Sequence, residues 1–178
     1  GNTNNWTPTG IPASADNVTI PSSASYTNSC RLNGANRNCI ALTVAAGGYL
    51  SMDNAIITVR GNVDIDGTLD QVVDNDTSGN EAIVCNNNSL DAGFNLDFGG
   101  TEYDGMVIMN NVANGRTVTF TGNADIYGLV IQASCNQTFN LGAGKIITID
   151  GLISLQDGTG TGGVDFGTST VSIQGYID

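Results

Sequence analysis

The chain contains no histidine and a single lysine, Lys145. Without histidine there is no Ser-His-Asp or Cys-His arrangement for nucleophilic catalysis. None of the four cysteines falls in a C-x-x-C pair, which argues against a zinc site. No G-x-S-x-G, P-loop or dinucleotide fingerprint occurs. Charged residues are scarce at 12%, about half the usual share. No run is long and apolar enough to span a bilayer as a helix. With 5 bases against 17 acids and a net charge of −12, the chain lacks the basic patch that meets phosphates. The expectation is a non-enzymatic protein with no nucleic-acid partner and no membrane insertion.

What remains is a chain of 178 residues, 40% hydrophobic and with 24 glycines. That length suits one domain with a real core. Abundant Gly, Asn, Thr and Ser suit many short strands joined by tight turns. The chain begins G-N-T-N-N-W, without a signal peptide or a starting Met. The expectation is a processed chain or the N-terminal part of a longer one.

Internal repetition carries the fold assignment. Four segments share a pattern: I-T-V-R-G-N-V-D-I-D-G from Ile57, V-T-F-T-G-N-A-D-I-Y-G from Val118, I-T-I-D-G-L-I-S-L from Ile147 and V-S-I-Q-G-Y-I-D from Val171. Ile57, Val59, Val63 and Ile65 alternate with Thr58, Arg60, Asp64 and Asp66. Such alternation marks a strand with one buried and one wet face. Gly61, Gly122, Gly151 and Gly175 occupy the same place in each copy, where a glycine inside a strand pattern marks a bend. Each copy therefore reads as strand, corner, strand.

One copy cannot bury its own apolar face, but stacked copies can. The predicted fold is all-β, a right-handed parallel β-helix (β-solenoid) with an N-terminal cap; right-handed coiling is the default for parallel crossovers. Residues 1–178 form a single domain, with cap and first strand over 1–21 and stacked rungs over 40–178. Val18 to Ile20, Ala41 to Val44 and Tyr49 to Met52 are read as earlier rungs, and Met106 to Met109 as a diverged one. Trp6 is expected to cover the first rung. The final motif stops midway at Asp178, so the expectation is that the chain continues or that a partner covers the open edge.

From Gly10 the chain reads G-I-P-A-S-A-D-N-V-T-I-P, preceded by Trp6, then L-T-V-A-A-G-G-Y-L-S-M from Leu42 and I-T-V-R-G-N-V-D-I-D-G-T-L from Ile57. This succession resembles the repetitive β-helical surface proteins of Bacteroidetes, many of them cargo of the type IX secretion system. The resemblance is good over roughly the first 70 residues and rests on rung pattern thereafter. Members often carry a second Trp before the Pro; here Trp6 stands alone. The resemblance implies an extracellular or cell-surface location, a large modular parent and structural or adhesive duty. It transfers no catalytic residue.

Several residues are candidates for more. Cys30 and Cys39 bracket the polar loop S-C-R-L-N-G-A-N-R-N-C and are expected to form a disulfide, in keeping with an oxidising compartment. Whether Cys85 and Cys135 pair is left open. The alternative to a structural segment is a carbohydrate-active module that binds or cleaves glycan along a flank, with carboxylates as acid and base. Its weak glycan-contact candidates are Tyr127, Asp125 and Asp64, with Asp125 expected to stack over the Asp64 column. Calcium is a candidate cofactor at Asp64, Asp66 and Asp70, or better at Asp74, Asp76 and Glu81. Thr19, Thr43, Thr58, Thr119, Thr148 and Ser172 read as one outward Thr/Ser column. The partners expected are other surface or secretion components, copies of the chain stacked end to end, or a glycan.

Overall fold

The fold was established from a computed structural model. It describes residues 12–22, 30–32, 34–70, 82–86, 94–99, 102–109, 117–132, 138–156 and 163–178. The Trp6 cap, Cys135, Asp74, Asp76 and Glu81 lie outside the described residues.

In chain order the strands are β1 (Asn17–Ile20), β2 (Cys30–Arg31), β3 (Arg37–Cys39), β4 (Ala41–Val44), β5 (Tyr49–Ser51), β6 (Ile56–Val59), β7 (Val63–Ile65), β8 (Thr68–Asp70) and β9 (Ala82–Cys85). They continue as β10 (Phe94–Asp97), β11 (Glu102–Met109), β12 (Thr117–Phe120), β13 (Ala124–Ile131), β14 (Thr138–Asn140), β15 (Ile146–Leu155), β16 (Gly163–Asp165), β17 (Thr170–Ile173) and β18 (Tyr176–Ile177). Among the described residues there is no helix.

The strands stack as a parallel β-solenoid with three faces. The first face is β1-β4-β7-β10-β12-β14-β16, the second begins as β2-β5-β8 and ends at β17, and the third is β3-β6-β9-β11-β13-β15 with β18 beside the trailing half of β15. Each strand pairs with its counterpart one turn on: Asn17 with Ala41, then Leu42 with Val63. Seven strands at the usual sheet spacing make a rod roughly 30 Å long.

In the later turns the second and third faces share single long strands. The β11–β13 register shifts between Tyr103 and Met106, and the β13–β15 register shifts between Ile126 and Gly128. β17 pairs with the leading half of β15 and β18 with its trailing half. The long strands therefore turn a corner in mid-course.

Period-two alternation places Val18, Leu42, Val63, Leu96 and Phe120 in one inward column of the first face. Ile57, Ile83, Val107, Leu129 and Ile153 form another on the third face. Both columns lie in one continuous core. Phe98 fills the wider middle of the core, its ring 5.7 Å from Tyr103 and 5.9 Å from Phe120. The strands read from Val18, Ala41, Tyr49 and Met106 are all present.

Of the four aligned repeats only the last two stack on one another, Ile147 adjoining Val171 and Leu152 adjoining Tyr176. Gly61 lies between β6 and β7, where the chain passes from third face to first. Gly122 lies between β12 and β13, where it leaves the first face. Gly151 and Gly175 sit at the bend inside β15 and between β17 and β18. One local motif thus serves three different corners. The physical reason is that strand–bend–strand is a requirement of every corner, so a match of pattern does not fix which corner is being turned.

The Asn after two of these glycines has a definite task. Asn62 Oδ1 accepts the Asn95 N–H at 3.1 Å, and Asn123 Oδ1 accepts the Ile146 N–H at 3.0 Å. Asn36 Oδ1 does the same for Ile56 at 2.9 Å. Each amide oxygen replaces a ladder carbonyl where the backbone bends away, tying one turn to the next.

The third face carries a feature that strict alternation does not anticipate. Val84 and Val130 point away from the core cluster yet are only 9% and 6% exposed. Ser154, in the same column, is also buried. The face is buried on both sides over β9, β13 and β15.

Candidate functional site

The three residues expected to share a glycan-binding flank do not all meet. Asp64 lies on β7 in the first face, between Thr43 and Asp97 of the adjoining turns. Asp125 lies on β13, between Glu102 and Thr148. Asp125 therefore does not stack over the Asp64 column. The expectation failed because it equated the Gly61 and Gly122 corners, which are turned from different faces. Asp125 and Tyr127, two residues apart on one strand, do stay together and both are half-buried.

Around that pair the later turns build a regular second face. Asp125 adjoins Thr148, which adjoins Ser172. In the next outward column Tyr127 leads to Asp150 and Gln174. Gln174 Nε2 donates to Asp150 Oδ1 at 2.8 Å. A Cβ placed on Gly151 would lie 2.7 Å from Cε2 and Cζ of Tyr127, so the ring rests against the Gly151 backbone. The inward neighbours Ile126, Ile149 and Ile173 pin these strands to the core. The sequence reading missed Asp150, Thr148, Gln174 and Ser172 as neighbours of Tyr127. Their signal was the alternation in I-T-I-D and V-S-I-Q, which sets them two apart on a wet face.

Asp64 belongs to a separate carboxylate group. Partial desolvation, then the nearby charges of Asp66 and Asp97, raise its carboxyl above the ordinary aspartate range. Asp97 is engaged locally, its Oδ1 accepting the Gly99 N–H at 2.9 Å. Among the described residues, no group of three or more His, Cys, Asp or Glu side chains is arranged to hold a metal ion. The Thr/Ser column also dissolves. Thr19 and Thr43 adjoin on the first face, Thr148 and Ser172 on the second, and Thr58 adjoins Asn38 and Val84 on the third.

Cys30 and Cys39 are free thiols, so the bridge expected between them is not formed. They sit on strands of different faces, and their side chains pack into the first-turn end of the core beside Val18, Leu42 and Ile57. Both line a cavity of about 60 Å³ shared with Leu32, Arg37 and Leu50. Burial raises the Cys30 thiol and pushes Cys39 up to about 11, against a lesser opposing pull from Arg60. These are packing residues of low nucleophilicity. The loop between them is held instead by Arg31, whose guanidinium donates to both Asp53 carboxylate oxygens at 2.9 and 3.0 Å. Ser51 Oγ donates to Asp53 at 2.9 Å. These contacts secure a turn in which Asp53 and Asn54 both have positive φ, at 50° and 59°.

No protein-family model, no curated protein and no solved structure matches this chain.

Proposed function

We propose that this chain is a non-enzymatic structural and adhesive β-solenoid segment of a large extracellular or cell-surface bacterial protein. The observation that carries the reading is how the turns are joined. Parallel pairing runs without interruption from β1 to β16 along the first face, and carboxamide ties reinforce the corners. Such an object resists bending and holds whatever it displays at a fixed distance, which is what a spacer at a cell surface must do. A chain with net charge −12 and one lysine stays soluble while doing so.

Its partners in this reading are other surface or secretion components, or copies of the chain stacked end to end. Two features favour axial partners. Phe166, Tyr176 and Ile177 of the last described turn are exposed at 43%, 64% and 62%. Charge is also polarised along the rod. Asp16 and Asp53 oppose Arg31, Arg37 and Arg60 within residues 1–62, a net +1, which leaves −13 on the remainder.

The test uses intact cells that make the protein. A protease too large to enter the cell should cleave it, and in-frame removal of the solenoid should reduce attachment without altering growth on polysaccharides. Protection from the protease would overturn the surface location. Loss of polysaccharide growth with attachment unchanged would favour a carbohydrate-degrading role instead.

A further inference from the structure

Among the described residues, the second face of the later turns combines an outward aromatic ring with polar groups in a regular array. The first face offers Asn95 and Asp97, then Thr119 and Thr121, then Asn140 at the equivalent positions. The third face is apolar and largely covered at Val84 and Val130. On the second face, Asp125 and Tyr127, Thr148 and Asp150, and Ser172 and Gln174 follow one another at the spacing of stacked strands, roughly 4.8 Å.

We infer that this face is a binding surface for a neutral glycan chain, with Tyr127 as its stacking platform. An aromatic side chain with an apolar body and a polar tip suits the apolar C–H face of a sugar ring. Its position is fixed, because the ring is braced on Gly151. Fixing the platform before binding lowers the ordering cost of association. Carboxylates accept strong, charge-assisted hydrogen bonds from hydroxyl groups, and the vicinal hydroxyls of a pyranose match the two oxygens of the exposed Asp150. Asp150 is already oriented by the Gln174 amide, whose carbonyl oxygen remains available to accept. The hydroxyls of Thr148 and Ser172 can donate or accept.

The ligand must not be acidic. β13, β15, β17 and β18 contain no Lys or Arg among their residues, and a chain with net charge −12 repels an acidic polysaccharide. The site is open and lies along one strand-stacking direction, so it suits an internal stretch of a polymer and not a chain end. The inference concerns binding by the isolated chain and does not depend on where the protein resides.

The test is native electrophoresis of the whole chain through gels cast with galactomannan, xyloglucan, laminarin or soluble starch, with alginate and polygalacturonate as acidic comparisons. Retardation by at least one neutral polymer and by neither acidic one is expected. Tyr127→Ala should weaken that retardation about tenfold or more, the scale of an aromatic anchor, while Tyr127→Phe keeps most of it. Gln174→Ala, at an exposed position, should weaken it without unfolding the chain. Asp64→Asn, on another face, should leave it unchanged. Absence of retardation by all four neutral polymers would overturn the inference. So would retardation that survives Tyr127→Ala and Gln174→Ala in chains whose circular dichroism matches the parent.

Discussion

Replacing Gly48 by Ala separates two reasons for a glycine in this fold. Gly48 is buried at the corner between β4 and β5. A Cβ there would lie 2.8 Å from the Ala45 carbonyl oxygen and 2.9 Å from those of Ile20 and Pro21. Two of these carbonyls are committed: Ala45 O accepts the Gly48 N–H at 2.7 Å, and Ile20 O accepts the Ala45 N–H at 2.9 Å. Relief therefore means moving backbone and stretching the tie between the first two turns. Overpacking costs about 1–3 kcal/mol, and each weakened hydrogen bond adds about 1 kcal/mol. The stiffer unfolded chain returns about 0.4–1 kcal/mol. The net loss should be about 3 kcal/mol, a melting temperature lower by roughly 6–12 °C for a chain of this size. Gly144 is the comparison, with φ of 67° and nothing within 4 Å of the added atom. Its Ala variant meets only the left-handed backbone cost of about 1–2 kcal/mol, less the same unfolded-state return, so it should lose about 1 kcal/mol. Thermal and denaturant unfolding followed by circular dichroism would read both. A Gly48→Ala chain as stable as Gly144→Ala would refute the reasoning from carbonyl crowding.

Three further outcomes are expected. Asp64→Asn should stabilise the chain at neutral pH: a carboxyl raised in the folded state binds its proton more tightly there, so its contribution is present below the ordinary value of 3.8 and is lost as pH rises. The gain should fade towards pH 3 and shrink in high salt, and a gain that persists unchanged at pH 3 would contradict the assignment. In the reduced protein at pH 8, Cys30 and Cys39 should alkylate far more slowly when native than in guanidinium. Stability should fall as pH climbs from 9.0 towards about 11, because the unfolded thiols ionise before the buried ones; equal labelling rates in the two states would show the thiols to be accessible. Asn123→Ala should cost about 1 kcal/mol, and hydrogen exchange should speed at the Ile146 amide, whose acceptor is removed; an unchanged exchange rate would mean that another group holds that amide.

The fold was legible because its signal is local and repeated. Alternation at Ile57, Val59, Val63 and Ile65 states which side of the strand is buried, and the structure keeps all four in the core. Stacking then follows from the need to cover that side. The candidate site was legible only in part. Asp125 and Tyr127 share a strand, so their relation is two residues of alternation. Asp64 relates to them through turns of unequal length: Leu42 to Val63 is 21 residues, while Val63 to Leu96 is 33. No pattern confined to ten residues carries that count.

The covered third face escaped for a related reason. A-I-V-C, M-V-I-M and L-V-I are apolar without alternation, the pattern of strands buried on both sides. Expecting every solenoid strand to have one wet face makes such runs read as divergence. The structure gives them a different meaning, since Ile83, Val107 and Leu129 face the core while Val84, Ile108 and Val130 form the outward column. The three faces have therefore been assigned different solvents. The third is covered on its outer side at Val84, Val130 and Ser154, the first carries carboxylate and Thr positions, and the second sets a braced tyrosine among hydrogen-bonding groups. A spacer alone has no need of that division, because any polar exterior keeps a rod soluble. The division is accounted for if the rod also presents one face to a ligand, and Tyr127 marks which face that is.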